Sequence, residues 1–365
     1  MACSVALDMP HAPHPLVIRF GNLGDTVLLQ PLLHKLRQRY GEPCDLLATG
    51  TWPAELYAGQ PEVAEVLALR APRRPLLLSR ERWRAIGWLR ERREAPVYVC
   101  EPCPHALLRI RRMLALAGVP AAQRTYLADL PIREHEHWVD HLLRFGDCTP
   151  SVFRGRCDAL TVDPGAAPQL QVDAAARSDC ERWLHAHGLH GRPLVLLQPA
   201  GKHTKRWSGL RAIRNDDKAW PVQCWAALAW TILETLPSAR VLLCGSPQEA
   251  GYLDGIRAIA ASEAVLSLAD ELPLARLKAL LGCAHSMISV DTGPAHLAAA
   301  EGCPLVVMSG GASPAQRAPR AAPGGVVRVL GGAPHGKRVD ALSVEQVAGA
   351  WRGLPPRQAR WRAVA

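Results

Sequence analysis

A chain of 365 residues with 48% hydrophobic side chains and a mean hydropathy of −0.01 is long enough to bury two separate cores, as a globular protein does. No apolar run approaches the ~20 residues that cross a bilayer, which excludes an integral membrane protein of the helical kind. Eleven cysteines, an odd number scattered through apparent strands and helices, are expected as reduced and mostly buried thiols, and the net charge of +10 directs attention to where the basic residues fall.

In chain order, residues 1–15 hold Asp8, two His and three Pro without a basic start and an unbroken apolar segment. They are expected as a loose extension on a cytoplasmic protein rather than as a secretory signal. An apolar run over 16–20 then predicts a strand, followed by a turn with Gly21 and Gly24 and a helix over 26–40. Asp25 stands at the start of that helix. The dipole favours its anionic form, so it is suited to accept a proton from a hydroxyl, although Asp is also an ordinary capping residue there. The spacing Gly-x-x-Gly is not the G-x-G-x-x-G of a dinucleotide fold, so NAD is not implied.

Strands are expected over 46–49 and 97–100. Between them, from Arg70 to Glu94, nine Arg stand against three Glu, with Trp83 and Trp88 interleaved. Such a field draws nucleic acid, an anionic lipid surface or an acidic sugar alike; a solvated helix face is the plainer reading. Cys100, Cys103 and His105 supply three metal ligands where a structural zinc site wants four, so no metal is expected. The segment 148–171 is rich in Pro and Gly and marks a linker.

The second half repeats the alternation, with strands over 194–198, 240–244, 286–290, 305–308 and 326–330 and helices over 174–187, 222–236 and 274–281. His185, His187 and His190 crowd a helix end, where a cation meets the dipole. After the strand 286–290 comes Asp291-Thr-Gly-Pro-Ala-His296: a capping residue, a glycine for close approach, a proline suited to a first helical turn, and a polar contact one turn in. Free N–H groups of that turn suit a phosphate, though many capped helices hold none. The whole reads as two doubly wound α/β domains, residues 16–165 and 172–343, facing each other across a central cleft at the carboxyl ends of their strands, with a basic tail over 344–365 that could cross back to the first lobe.

Four segments in this order, VIRFGNLGDTVLLQPLL from Val17, KAWP at Lys218, GSPQE at Gly245 and SVDTGPAHLAAAEGCP at Ser289, resemble the ADP-heptose:lipopolysaccharide heptosyltransferases, glycosyltransferase family 9. The resemblance implies a GT-B fold of two Rossmann-like domains, the first for the acceptor and the second for the nucleotide sugar, and an inverting transfer with no metal or other cofactor. ADP-heptose is the implied donor substrate. Asp25 matches the family's catalytic base, Lys218 the lysine on the donor diphosphate, Glu249 the acidic residue on the ribose, and Asp291, Thr292, Gly293 and His296 the rest of the donor cluster. Lys205 is a second candidate for the phosphate lysine. Arg19 matches a basic position beside the base, and Arg90, Arg92 and Arg93 are expected on the acceptor side. The implied partner is an anionic inner-core glycolipid at the inner face of the membrane, with peripheral association there and no nucleic acid. The loop Ser309-Gly-Gly-Ala-Ser-Pro314 departs from the aromatic-glycine pair usual in the family. Transfer to a protein acceptor, a GT-B epimerase and a noncatalytic nucleotide-sugar binder are the competing readings.

Overall fold

The computed structural model describes residues 14–70, 79–155, 166–201 and 216–357. Lys205, Arg73, Arg74, most of the expected N-terminal extension and the middle of the expected linker lie outside them. The chain divides into two compact units.

The first unit is built on β1 (Leu16–Arg19), β2 (Cys44–Thr49), β3 (Val63–Leu69), β4 (Val97–Val99) and β5 (Arg124–Tyr126), all parallel, in the order β3-β2-β1-β4-β5. β1 reads LVIR and is buried along its whole length, as a strand covered on both faces must be. Leu16, Ile18, Leu47, Val97 and Val99 meet Ile86, Leu89, Ile110 and Leu114 from the covering helices Arg80–Glu91 and Pro104–Leu116.

The second unit carries β6 (Leu194–Gln198), β7 (Arg240–Leu243), β8 (Val265–Ser267), β9 (Ser286–Val290), β10 (Leu305–Ser309) and β11 (Val327–Gly331). These too are parallel, in the order β11-β10-β9-β6-β7-β8. The order reverses between β6 and β9, so connections leave in opposite directions there and a crevice opens at the carboxyl ends of those two strands. The helix Val344–Arg352 buries Val347, Ala348 and Trp351 in this unit's core, and Trp351 Nε1 donates to Ser286 Oγ at 2.8 Å. The described part of the tail therefore packs on its own unit rather than crossing back.

Sequence order and packing part company at one place. Residues Leu23–Leu28 and His135–Trp138 group with the second unit although they fall within the expected first domain. The helix expected over 26–40 is broken accordingly, into Leu23–Val27 and Gln30–Tyr40. Pro31 has no N–H to continue the ladder from one to the other, and Leu32 and Leu33 both donate to Leu29 O instead.

Candidate active site

The crevice of the second unit is furnished by the turn and helix that succeed β9. Thr292 is the N-cap of the helix Gly293–Ala300 in extended conformation, but its side chain does not cap. The Thr292 hydroxyl donates back to Val290 O at 3.1 Å, so the helix's first turn lacks an N-cap side-chain acceptor among the described residues. Pro294 fills a position whose N–H would have been surplus.

Lys218 reaches this turn from the loop after Asp216. Its Nζ donates to Asp291 Oδ2 at 2.7 Å and to Asp291 O at 2.9 Å, while its backbone N–H is held by Asp216 Oδ1 at 3.1 Å. The tryptophan two residues on anchors the loop: Trp220 is fully buried, its Nε1 donates to Leu342 O, and its carbonyl accepts from the Tyr252 hydroxyl. Asp217 fastens a second loop to the first, because its Oδ2 accepts from the Gly311 N–H at 2.5 Å. A Cβ on Gly310 would strike that carboxylate, so the glycine pair after β10 lets this loop lie against the Lys218 segment.

His296 lies one turn into the helix, 9% exposed, with Nε2 3.8 Å from Asp291 Oδ1 and Nδ1 buried without a hydrogen-bond partner. Burial pushes its pKa down to about 4; Asp291 and Asp25 pull the other way and do not win. The imidazole is therefore neutral near pH 7.

Asp25 belongs to this same assembly. Its short helix, Leu23–Val27, lies against Gly293–Ala300 with two glycines at the crossing. A Cβ on Gly24 would come within 2.8 Å of His296 Cδ2, and one on Gly293 within 2.8 Å of Leu23 Cβ. The missing Cβ of Gly293 makes room for Leu23. Arg317, from the short helix Pro314–Arg317 after β10, places Nη1 3.8 Å from Asp25 Oδ1 and stacks over the Trp138 ring at 4.5 Å. His137 hydrogen-bonds Ala318 O at 2.9 Å and holds that loop in place. A narrow crevice of ≈ 10 Å³ is lined by Asp291, Ser309, Ser313, Pro314 and Arg317, among others.

The remaining expected residues are placed differently. Glu249 is buried, and its Oε2 accepts from Ser246 N–H at 2.6 Å and Ser246 Oγ at 2.8 Å in a capping box that opens the next helix. In the first unit Arg19 is buried and donates to Cys100 O and Glu101 Oε2; Glu101 in turn accepts from the Phe20 and Cys103 amides. Arg92 is committed internally: it pairs with Asp45 at 2.7 Å and with Glu65, donates to Trp88 O, and stacks over the Trp88 ring at 3.8 Å. Arg90 donates to Leu116 O, and Arg93 is exposed beside Glu94. Of the expected acceptor arginines, only Arg90 and Arg93 face solvent. Cys100 is buried, Cys103 is exposed, and the His185 and His190 rings stack at 4.0 Å.

Sequence reasoning passed over Arg317, His137, Trp138 and Asp217. No motif marks them; the adjacency of Asp217 to Lys218 was the one available signal.

A sequence profile of glycosyltransferase family 9 (heptosyltransferase) matches residues 163–345, half of the chain. The chain belongs to glycosyltransferase family 9. It is a glycosyltransferase of the heptosyltransferase type. It is 25% identical over 337 residues to lipopolysaccharide heptosyltransferase 2 of Escherichia coli strain K12, spanning 89% of this chain and 91% of that one. The fold matches that of E. coli ADP-heptose lps heptosyltransferase II with a TM-score of 0.69 at 22% identity, over 93% of this chain and 97% of the other. A family 9 glycosyltransferase from Veillonella parvula gives 0.68 at 16% identity, over 94% and 98%. An E. coli heptosyltransferase with ADP gives 0.62 at 17%, over 93% and 99%. The two parallel sheets are those of the GT-B fold.

Proposed function

We propose that this family 9 enzyme transfers heptose from ADP-heptose to an anionic inner-core lipopolysaccharide acceptor, with inversion and without a metal, on the cytoplasmic side of the membrane. The observation that carries the reading is the packing of Asp25 into the unit that also holds Lys218, Asp291 and His296. An acid/base group and an anion grip are thereby held in one rigid neighbourhood.

In the proposed reaction the acceptor hydroxyl attacks the anomeric carbon and its proton passes to Asp25, while the carbon–oxygen bond to the diphosphate breaks on the opposite face. The departing ADP carries the new charge. The Lys218 ammonium and the open first turn of Gly293–Ala300 meet that charge, which is the service a preorganised donor set gives a transition state. Asp291 holds Lys218 in place and offers Oδ1 towards sugar hydroxyls. A neutral His296 adds a hydrogen-bonding atom to the donor site without adding charge. Glu249, with one oxygen committed to Ser246, has the other for the ribose.

The test is a pair of measurements on one variant. Asp25→Asn is expected to lose turnover by about a hundredfold or more, as removal of a general base does, while ADP binds nearly as before. Unchanged turnover removes Asp25 from the mechanism. A calorimetric screen of ADP, UDP and GDP decides the donor class, and preference for UDP or GDP overturns the ADP-heptose assignment.

A further inference from the structure

Arg317 stands beside the acid/base group, and the proposed chemistry leaves it unused. Its Nη1 lies 3.8 Å from Asp25 Oδ1, an ion pair too long for a hydrogen bond. The guanidinium lies over the Trp138 ring, 4.5 Å from its centroid, and makes no side-chain hydrogen bond among the described residues. Other arginines of the chain are spent differently. Arg92, Arg276 and Arg357 donate to carboxylates or carbonyls at hydrogen-bond distance. Arg317 keeps its N–H donors, with its side chain 46% exposed.

Its position is fixed nonetheless. Asp25, His137, Trp138 and Arg317 all belong to the second unit. The His137 ring hydrogen-bonds Ala318 O at 2.9 Å, Pro314 opens the four-residue helix that carries Arg317, and Trp138 is buried. A guanidinium held over an indole in this way has little freedom left to lose, and its exposed N–H groups suit a carboxylate or phosphate taken by two parallel hydrogen bonds.

The direction of the reaction decides which substrate supplies the anion. Asp25 meets the attacking hydroxyl, and the diphosphate departs from the opposite face of the anomeric carbon. A cation 3.8 Å from Asp25 is therefore on the side of the incoming sugar. The diphosphate already has Lys218 and the first turn of Gly293–Ala300.

We propose that Arg317 is an acceptor-binding residue that takes an anionic substituent, carboxylate or phosphate, carried by the acceptor close to the hydroxyl that attacks. The inference deepens the functional reading, on which it rests for the direction of attack. It gives the second unit a share in choosing an acceptor that the family resemblance assigns to the first.

The experiment is calorimetric binding of three probes to the full chain saturated with ADP: a deacylated inner-core saccharide, the same saccharide with its carboxyls reduced, and the same with its phosphates removed. One of the two changes is expected to weaken binding to the wild type about ten- to a hundredfold, the worth of a hydrogen-bonded charge, and it identifies the group. Arg317→Gln is expected to bind the intact probe as weakly as the wild type binds the altered one, and the two losses should not add. Arg317→Lys should keep part of the affinity. A wild type that binds none of the three, or all alike, overturns the inference, as does an Arg317→Gln variant that still discriminates. A fall in ADP affinity in that variant, with discrimination intact, assigns the arginine to the diphosphate instead. Arg177→Gln, exposed elsewhere on the same unit, is the control for net charge, and an equal loss there overturns the site. Turnover separates the two proposals: discrimination in binding without transfer from ADP-heptose sinks the functional reading only, and transfer by a wild type that ignores the anion sinks the role of Arg317 only.

Discussion

Gly24→Ala probes the join between the Asp25 turn and the donor cluster. The added methyl would sit 2.8 Å from His296 Cδ2, where ordinary contact begins at 3.4 Å, so one partner must yield by about 0.6 Å. His296 has little room to yield, being 9% exposed on a helix whose residues Ala295 to Ala300 are all buried. Overpacking of this kind costs about 1–3 kcal/mol. Alanine in place of a helical glycine returns up to about 1 kcal/mol, and Gly24 has no left-handed φ to forbid it, so the net loss of stability is about 0–2 kcal/mol. The protein should therefore fold. Its chemistry should suffer far more, since a displacement approaching 1 Å at a positioned group costs on the order of a hundredfold in rate. Urea unfolding and steady-state turnover on the same preparation check both halves. Wild-type turnover with a marginal change in stability would refute the claim that this crossing sets the site's geometry.

Lys218→Met removes the cation at Asp291 and leaves that carboxylate, 13% exposed, without its partner. A charge-assisted bond of this kind contributes about 1.5–3 kcal/mol, so ADP affinity should fall by about ten- to a hundredfold in calorimetry. The His296 pKa of about 4 lies below the unfolded value of about 6.5, so the unfolded chain binds the extra proton first. Stability is then full above pH 6.5 and is lost as pH falls towards 4, by roughly 2 kcal/mol between pH 7 and 5. His296→Gln should flatten that limb of the urea-melt profile. Arg92→Met should cost about 1–3 kcal/mol by stranding Asp45, which is 6% exposed, and should leave KM for the acceptor unchanged; a raised KM with intact stability would return Arg92 to the acceptor side.

The legible part of the sequence was local. β6 and β9 fell where their apolar runs put them, and the strand, turn and proline after Ser289 announced the helix Gly293–Ala300. β5 and β8 are three residues long, too short for any period to register, and β3 shows two exposed positions that blur its alternation. Arg92 misled because its partners, Asp45 and Glu65, sit on strands 47 and 27 residues earlier; a charge run seen in one dimension gives no hint that one member folds back to them. Arg317 was invisible for a related reason. It rides on a four-residue helix with no periodicity, and only tertiary packing brings it to Asp25 and Trp138.

The six residues from Leu23 to Leu28 leave their neighbours in the chain to pack elsewhere, and the polypeptide returns directly afterwards. The packing around Asp25 and His296 is thus set apart from most of the amino-terminal sequence. Changes in the loops and helices of the first unit therefore leave the packing of Gly24 against His296 in place.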